Sequence, residues 1–444
     1  MDRFLNFFKT PHADRITDPA LVDKTYRYWR IRTMYAMYIG YAGFYLTRKS
    51  FTFAMPQMMQ DLHFTKADLG LLGSIFYITY GLSKFISGML SDRSNPRYFM
   101  AFGLIATGIA NIFFGFSSSL ACLSIFWLIN AFFQGWGWPP CARLLTHWYS
   151  RSERGRWWGV WNTSHNVGGA LIPLVVAGCV AYFGNWRMAM FVPGVFVMIV
   201  ALFVINRLRS IPESEGLPPI EEYRNDYAGG EKEDQQTMKK PMWELFVTYV
   251  LKNKYIWILA FSYALVYVVR TAVNDWGAIY LAEHGYTKPL AITCMSFFEI
   301  GGFAGSLVAG WCSDKIFHGM RGQTNVIFCI GIIGALMAFW LIPGTHFFIH
   351  AALMAGIGFF VFGPQMLICT AAAELSHREA AGTSTGFVSL CSYLGAALSG
   401  YPLGLIIEHF SWHGFFVTIG ICAVLSVLLL LPLWKAAGYK TITT

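Results

Sequence analysis

Tyr45-Leu-Thr-Arg48 and Tyr267-Val-Val-Arg270 stand 222 positions apart, and Gly88-Met-Leu-Ser-Asp92-Arg93 returns at the same offset as Gly310-Trp-Cys-Ser-Asp314-Lys315. Two landmarks that keep one spacing mark a chain built from a unit used twice. Weaker echoes follow: Gly137-Trp-Pro139 answers Gly363-Pro364, and Gly168-Gly-Ala answers Gly395-Ala-Ala.

Around these landmarks the chain is apolar. Of 444 residues 55% are hydrophobic and only 13% charged, far from the usage of a soluble domain. Stretches recur that are long enough to cross a bilayer, which takes about 20 helical residues. Twelve are read: 33–56, 68–90, 98–117, 119–147, 157–183, 187–207, 255–282, 290–313, 324–343, 346–373, 382–408 and 412–434. They lack the period-two alternation of a barrel strand. The expected fold is an all-α membrane protein with 12 transmembrane helices in two pseudo-symmetric six-helix bundles. Its expected divisions are an N-terminal segment 1–32, a first bundle 33–209, a polar linker 210–254, a second bundle 255–435 and a tail 436–444.

The basic residues orient the bundle. Of 33 Lys and Arg, 25 fall on one side of the spans and three (Lys66, Arg187 and Lys288) on the other. The positive-inside rule then puts both termini and the linker in the cytoplasm. The net charge of +9 is spread over these loops, which argues against a nucleic-acid surface. Residues 1–32 carry no short apolar core followed by a small-residue cleavage site, so a cytoplasmic amphipathic lead-in is expected. The nine cysteines lie in or beside apolar runs without metal-ligand spacing and read as free core thiols. No metal or cofactor is expected, and no Gly-x-x-x-x-Gly-Lys-Ser/Thr offers an ATP site. No nucleophile–base constellation points to an enzyme.

Five cations remain inside the spans: Arg48, Lys49, Lys84, Arg143 and Arg270. A charge at membrane depth costs several kcal/mol unless it faces a cavity or a partner. Helical spacing groups the polar residues around them. Tyr41, Tyr45 and Arg48 share a face, as do Tyr77, Tyr80 and Lys84, then Asn162 and His165, and Tyr263, Tyr267, Arg270 and Asn274. Two guanidiniums from opposite halves, completed by Tyr, Asn and His, are the groups a phosphate dianion needs. The acids at depth are Asp275 and Glu299. Lys49 beside Arg48 and Asp275 near Arg270 suggest an inter-half charge pair, which would satisfy the charges not facing ligand. Arg143 follows Pro139-Pro140 near a span end and reads as a snorkelling structural residue. A lone histidine such as His165 is also often a satisfied packing residue, and the tyrosines serve packing as readily as a site.

With these residues on the page, the chain resembles the organophosphate:phosphate antiporter family of the major facilitator superfamily. The resemblance covers nearly the whole chain. It is carried by Gly40-Tyr-Ala-Gly-Phe-Tyr-Leu-Thr-Arg-Lys-Ser50, Thr79-Tyr-Gly-Leu-Ser-Lys-Phe85, Ser91-Asp-Arg-Ser-Asn-Pro-Arg97, Gln134-Gly-Trp-Gly-Trp-Pro-Pro-Cys141, Trp161-Asn-Thr-Ser-His-Asn-Val-Gly-Gly169 and Phe362-Gly-Pro-Gln-Met-Leu367. It implies a major facilitator fold in a bacterial inner membrane and exchange of a sugar phosphate, glucose-6-phosphate foremost, for inorganic phosphate. It implies phosphate binding by Arg48, Arg270, Lys84 and His165, with Tyr41, Tyr45, Tyr80, Tyr267 and Tyr393 in support, to which the helical stripes add Asn162 and Asn274. The signature loops Asp92-Arg93 and Asp314-Lys315 would latch one state of a rocking cycle. Phe362 departs from the family pattern, where the glycerol-phosphate branch has a tyrosine. Two other readings keep the fold: a hexose-phosphate receptor signalling to a partner histidine kinase, and a proton-coupled sugar or drug carrier. The first half lacks the mid-span carboxylate that proton coupling often uses.

Overall fold

The computed structural model describes residues 13–92, 94–226, 246–342, 346–376 and 380–435, and the tail 436–444 lies outside them. The first half is α1 (Pro19–Leu62), α2 (Lys66–Asp92), α3 (Pro96–Phe116), α4 (Leu120–Gln134), α5 (Trp138–Trp148), α6 (Arg151–Asn162), α7 (Ser164–Phe183) and α8 (Met188–Arg207). A short α9 (Ile220–Arg224) lies in the linker. The second half is α10 (Lys254–Glu283), α11 (Lys288–Trp311), α12 (Arg321–Leu341), α13 (Phe347–Glu374), α14 (Ala381–Leu398) and α15 (Tyr401–Leu430).

Ten helical runs are long and apolar enough to cross a membrane among the described residues. One of them, Gly382–Leu433, is 52 residues long, enough for two crossings. It divides at Ser411, whose backbone (φ 51, ψ −163) is non-helical. A Cβ built on Gly414 would lie 3.0 Å from Ile406, a contact that exists only if the chain turns back at Ser411. α1, whose apolar stretch is interrupted by Arg48 and Lys49, is not among the ten.

Several boundaries differ from the sequence expectation, each for a local reason. α1 starts at Pro19, not residue 33: Asp18 caps it by accepting from the Ala20 N–H, proline sits at its first position, and no breaker follows. Its 44 residues reach about 66 Å, longer than a bilayer is thick. The surplus stands outside the span and carries the linker: Tyr26 donates to the Pro218 carbonyl and stacks on Tyr223 at 4.0 Å. The fourth span breaks between Gln134 and Trp138. There Gly135 lies so close to α2 that a Cβ would collide with Ser83 Oγ. The fifth span breaks at Thr163 and the eleventh at Ser399-Gly400, whereas α13 runs unbroken through Pro364.

The two halves repeat each other in packing as well as in sequence. Gly168 presses against the Ala42 carbonyl on α1, and Gly395 against the Ala264 carbonyl on α10. Ala42 and Ala264 are again 222 positions apart. Between halves, α2 packs on α14 and the start of α15, α7 packs on α11, and α1 touches α10. The first two seams are counterparts under the repeat. Small residues let the backbones meet there, as is usual where lipid supplies no hydrophobic drive. Polar contacts between halves gather at the end away from the linker. Lys66 pairs with Glu283 at 2.9 Å, Glu283 also accepts from Trp412 Nε1 at 2.7 Å, and Glu408 accepts from the Ala67 N–H at 2.8 Å. Lys288 donates to Gln57 at 2.7 Å and to Gln60. That end is closed.

Candidate functional site

Arg48 is presented by the inward face of α1 at 8% exposure. Its guanidinium lies between two rings, 4.5 Å from the Tyr45 centroid and 4.4 Å from that of Tyr80. Arg270, its repeat counterpart on α10, lies 5.3 Å from Tyr267 and 4.9 Å from Phe362. Tyr393 joins the halves, its ring 4.9 Å from Tyr80 and 5.8 Å from Tyr267. Lys84 Nζ sits 5.4 Å from Tyr393 and 5.3 Å from Trp138. His165 stands at the start of α7, 5.9 Å from Tyr45 and nearly parallel to Phe362 at 6.2 Å. Tyr41 backs Tyr45 at 5.9 Å. Asn162 ends α6, half-buried, three residues before His165. His165 lies between Tyr45 and Phe362, and Phe362 packs on Arg270, so the two halves contribute to one cluster.

The charge arithmetic separates the cations. Lys49 Nζ is 2.7 Å from Asp275 Oδ1 across the halves and 3.1 Å from Tyr77 Oη. Tyr77 in turn donates to Asp275 Oδ2 at 2.6 Å, and Thr52 to Oδ1 at 3.4 Å. Lys49 is therefore neutralised. Glu299 accepts from Asn166 across the halves at 3.4 Å and lies against Gly169. Arg48 and Arg270 form no ion pair with a carboxylate among the described residues.

Buried donors need acceptors, and here several lack one within the protein. Arg48 Nη2, Arg270 Nε, His165 Nε2 and the Asn274 side-chain oxygen are all buried without a partner. Three of these are on the guanidiniums and imidazole of one cluster ringed by tyrosines. Its complement is an anion with several acceptor oxygens, of which a phosphoryl group is the match in shape and charge. A separate small pocket lies beyond Arg48, towards the closed end. It is lined by Lys49, Thr52, Tyr77, Trp127, Asp275 and Gly400, and of the cluster only Arg48 borders it.

The signature loops are partly visible. Asp314 accepts from Arg321, which also binds Glu374 at 3.1 Å and Ser313 Oγ at 2.8 Å. Lys315 is exposed beside them. The Asp92 side chain and Arg93 lie outside the described residues. Arg143 Nη1 donates to the Ser91 and Ser94 carbonyls at 2.9 and 2.6 Å, a fastening of the loop after α2.

Sequence reading missed the amides behind Arg48. Arg48 Nε donates to Gln134 Oε1 at 3.3 Å, and Gln134 leads on to Asn130 and Asn111. The signal was present as three carboxamides inside apolar spans, but a glutamine directly before a Gly-Trp-Gly break looks like part of a turn.

Residues 37–400 match the Major Facilitator Superfamily. The chain is 52% identical to the "Probable hexose phosphate transport protein" of Chlamydia trachomatis, over 98% of each chain. It is also 52% identical to the "Membrane sensor protein UhpC" of Escherichia coli, covering 97% of this chain and 98% of that one. The "Glycerol-3-phosphate transporter" of Bacillus subtilis is 39% identical, covering 97% and 98%. Among solved structures, a bacterial homologue of the human lysosomal transporter Spinster aligns with a TM-score of 0.71 at 16% identity, covering 91% of this chain and 95% of that one.

Proposed function

This chain belongs to the Major Facilitator Superfamily, and we propose that within it the protein carries a sugar phosphate, glucose-6-phosphate foremost, in exchange for inorganic phosphate. The observation that carries this reading is the pair of arginines, one from each half, each with a buried donor atom unspent on any carboxylate. The relatives support it, since one is named for hexose phosphate and another for glycerol-3-phosphate.

The mechanism follows from like charges on opposed walls. Arg48 and Arg270 repel as the halves close around the site, and a dianion between them turns that repulsion into attraction. Only the loaded carrier then rocks easily, because the ligand stabilises the closed passage more than either open state. Both phosphate and its esters meet that condition, which couples them as exchangers. On this reading the linker and both termini face the cytoplasm of an inner membrane, and Tyr41, Tyr45, Tyr80, Asn162, Tyr267, Asn274 and Tyr393 complete the shell around the phosphoryl group and sugar.

A second reading rests on the equal identity to a transport protein and to a membrane sensor. In that case the same site reports sugar phosphate to a partner kinase. Counterflow separates the two. Liposomes loaded with phosphate should take up labelled glucose-6-phosphate and empty ones much less. Binding without counterflow at any phosphate load rejects the exchanger in favour of the receptor. Uptake that follows a proton gradient and ignores internal phosphate rejects both.

A further inference from the structure

Behind Arg48 the first half holds a directed chain of side chains. Asn111 Nδ2 donates to Ser50 Oγ at 3.0 Å, and Asn130 Nδ2 donates to Asn111 Oδ1 at 2.8 Å. Gln134 Nε2 donates to Asn130 Oδ1 at 3.1 Å and to Thr47 Oγ1 at 2.9 Å. Arg48 Nε closes the series on Gln134 Oε1 at 3.3 Å. Every member is buried, Gln134 at 1% and both asparagines at 0% exposure.

The polarity of this chain has one sense. The Gln134 amide nitrogen faces the Asn130 oxygen and its own oxygen faces Arg48, and flipping it would set oxygen against the Asn130 oxygen and an amide N–H against the Arg48 Nε–H. Its position along the membrane is fixed too. α4 ends at Gln134, and α2 grips that end through Ser83 donating to the Phe132 carbonyl and Ser87 donating to the Gly135 carbonyl at 2.7 Å. With Nε engaged, rotation of the guanidinium about its long axis is set. Nη2 is buried with no partner. Arg270 has no such brace: it is Nε that lacks a partner there.

We propose that Gln134 is a positioning residue, which acts through Arg48 Nε to hold the terminal nitrogens of that guanidinium ready for the phosphoryl group, so that the first half is the fixed anchor and Arg270 the arm that closes on it. This rests on the phosphate reading above and deepens it. A fork held in place loses less freedom on binding than one that must be ordered by the ligand.

The test uses the full-length protein and inorganic phosphate as the probe. Gln134→Leu removes the brace and Gln134→Glu keeps the shape but places a carboxylate against Arg48. If the role were packing, the isosteric glutamate would be the milder change. If the role is to point an uncompensated cation at phosphate, glutamate competes with the ligand and is at least as damaging. The expected result is a Kd raised about tenfold or more in Gln134→Leu, the size of effect of one hydrogen bond to a charged group. Gln134→Glu should be equal or worse, and the loss in exchange should fall on KM more than kcat. A folded Gln134→Leu that binds within threefold of the parent overturns the proposal, as does Gln134→Glu binding better than Gln134→Leu. Should Gln134→Leu not fold, Gln134→Glu binding within threefold of the parent overturns it alone. If the parent protein itself binds no phosphate, it is the phosphate reading that has failed.

Discussion

Gly70→Ala should force the closed end of the molecule open. A Cβ at residue 70 would stand 2.6 Å from the Gly400 carbonyl oxygen, 2.8 Å from its carbon and 3.0 Å from Tyr401 Cα. Ordinary contact needs about 3.4 Å, so α2 and the eleventh span must part by roughly half an ångström or more, and no flexible side chain is there to yield. Overpacking of that kind costs about 1–3 kcal/mol. The clash lies between halves, so the cost falls on the state with this end closed and vanishes when it opens. An energy of that size shifts the equilibrium by about 5- to 150-fold. Spin labels at Tyr182 and Phe348, which are 85% and 84% exposed on opposite halves, would report the separation without disturbing the seam. Gly73→Ala is the control: its Cβ would lie 3.7 Å from Gly400 Cα, an ordinary contact, and it should be silent. A Gly70→Ala protein whose label distances match those of the parent would refute the reasoning, as would an equal response from both substitutions.

Two other outcomes follow from the site. Asp275→Asn strands the buried Lys49 ammonium, and loss of one partner from a buried pair costs about 3–5 kcal/mol; Lys49→Met with Asp275→Asn should recover most of the lost melting temperature, and a double variant no better than the single one would show that the pair is not the coupled unit. Arg48→Lys and Arg270→Lys should each weaken phosphate binding severely although charge is kept, because an ammonium lacks the planar fork; near-parental affinity in a folded variant would assign that arginine to structure.

How much of this was legible in the sequence depends on range. Apolar length and the 222-residue offset are properties of the chain itself, so the spans and the paired arginines could be read directly. The proximity of Lys49 and Asp275 was also within reach, because Lys49 adjoins Arg48 and Asp275 follows Arg270 by five residues, and the two arginines are related by the repeat. What escaped depends on three-dimensional approach. Gln134 meets Arg48 from a different span, and nothing in its local sequence separates an amide that faces a site from one that faces a neighbour. The break at Ser399-Gly400 arises because Gly70 and Ser74 on the other half press on that backbone. The continuation of α1 through residues 19–32 is set by a cap and by the linker folded against it, and hydropathy is blind to both.

The repeat also limits how this architecture can be rebuilt. By the offset of 222, the position of Asp275 corresponds in the first half to Phe53, and that of Lys49 corresponds in the second half to Thr271. Two copies of the first half would meet with a lysine on each side and only phenylalanine to receive it. Two copies of the second would bring together two aspartates and two threonines. Either homodimer would bury like charges unpaired at membrane depth, so neither half can stand in for the other. The duplication has become irreversible at this pair: a symmetric ancestor requires both residues of the pair to change together, and a gene for one half alone encodes half of an ion pair.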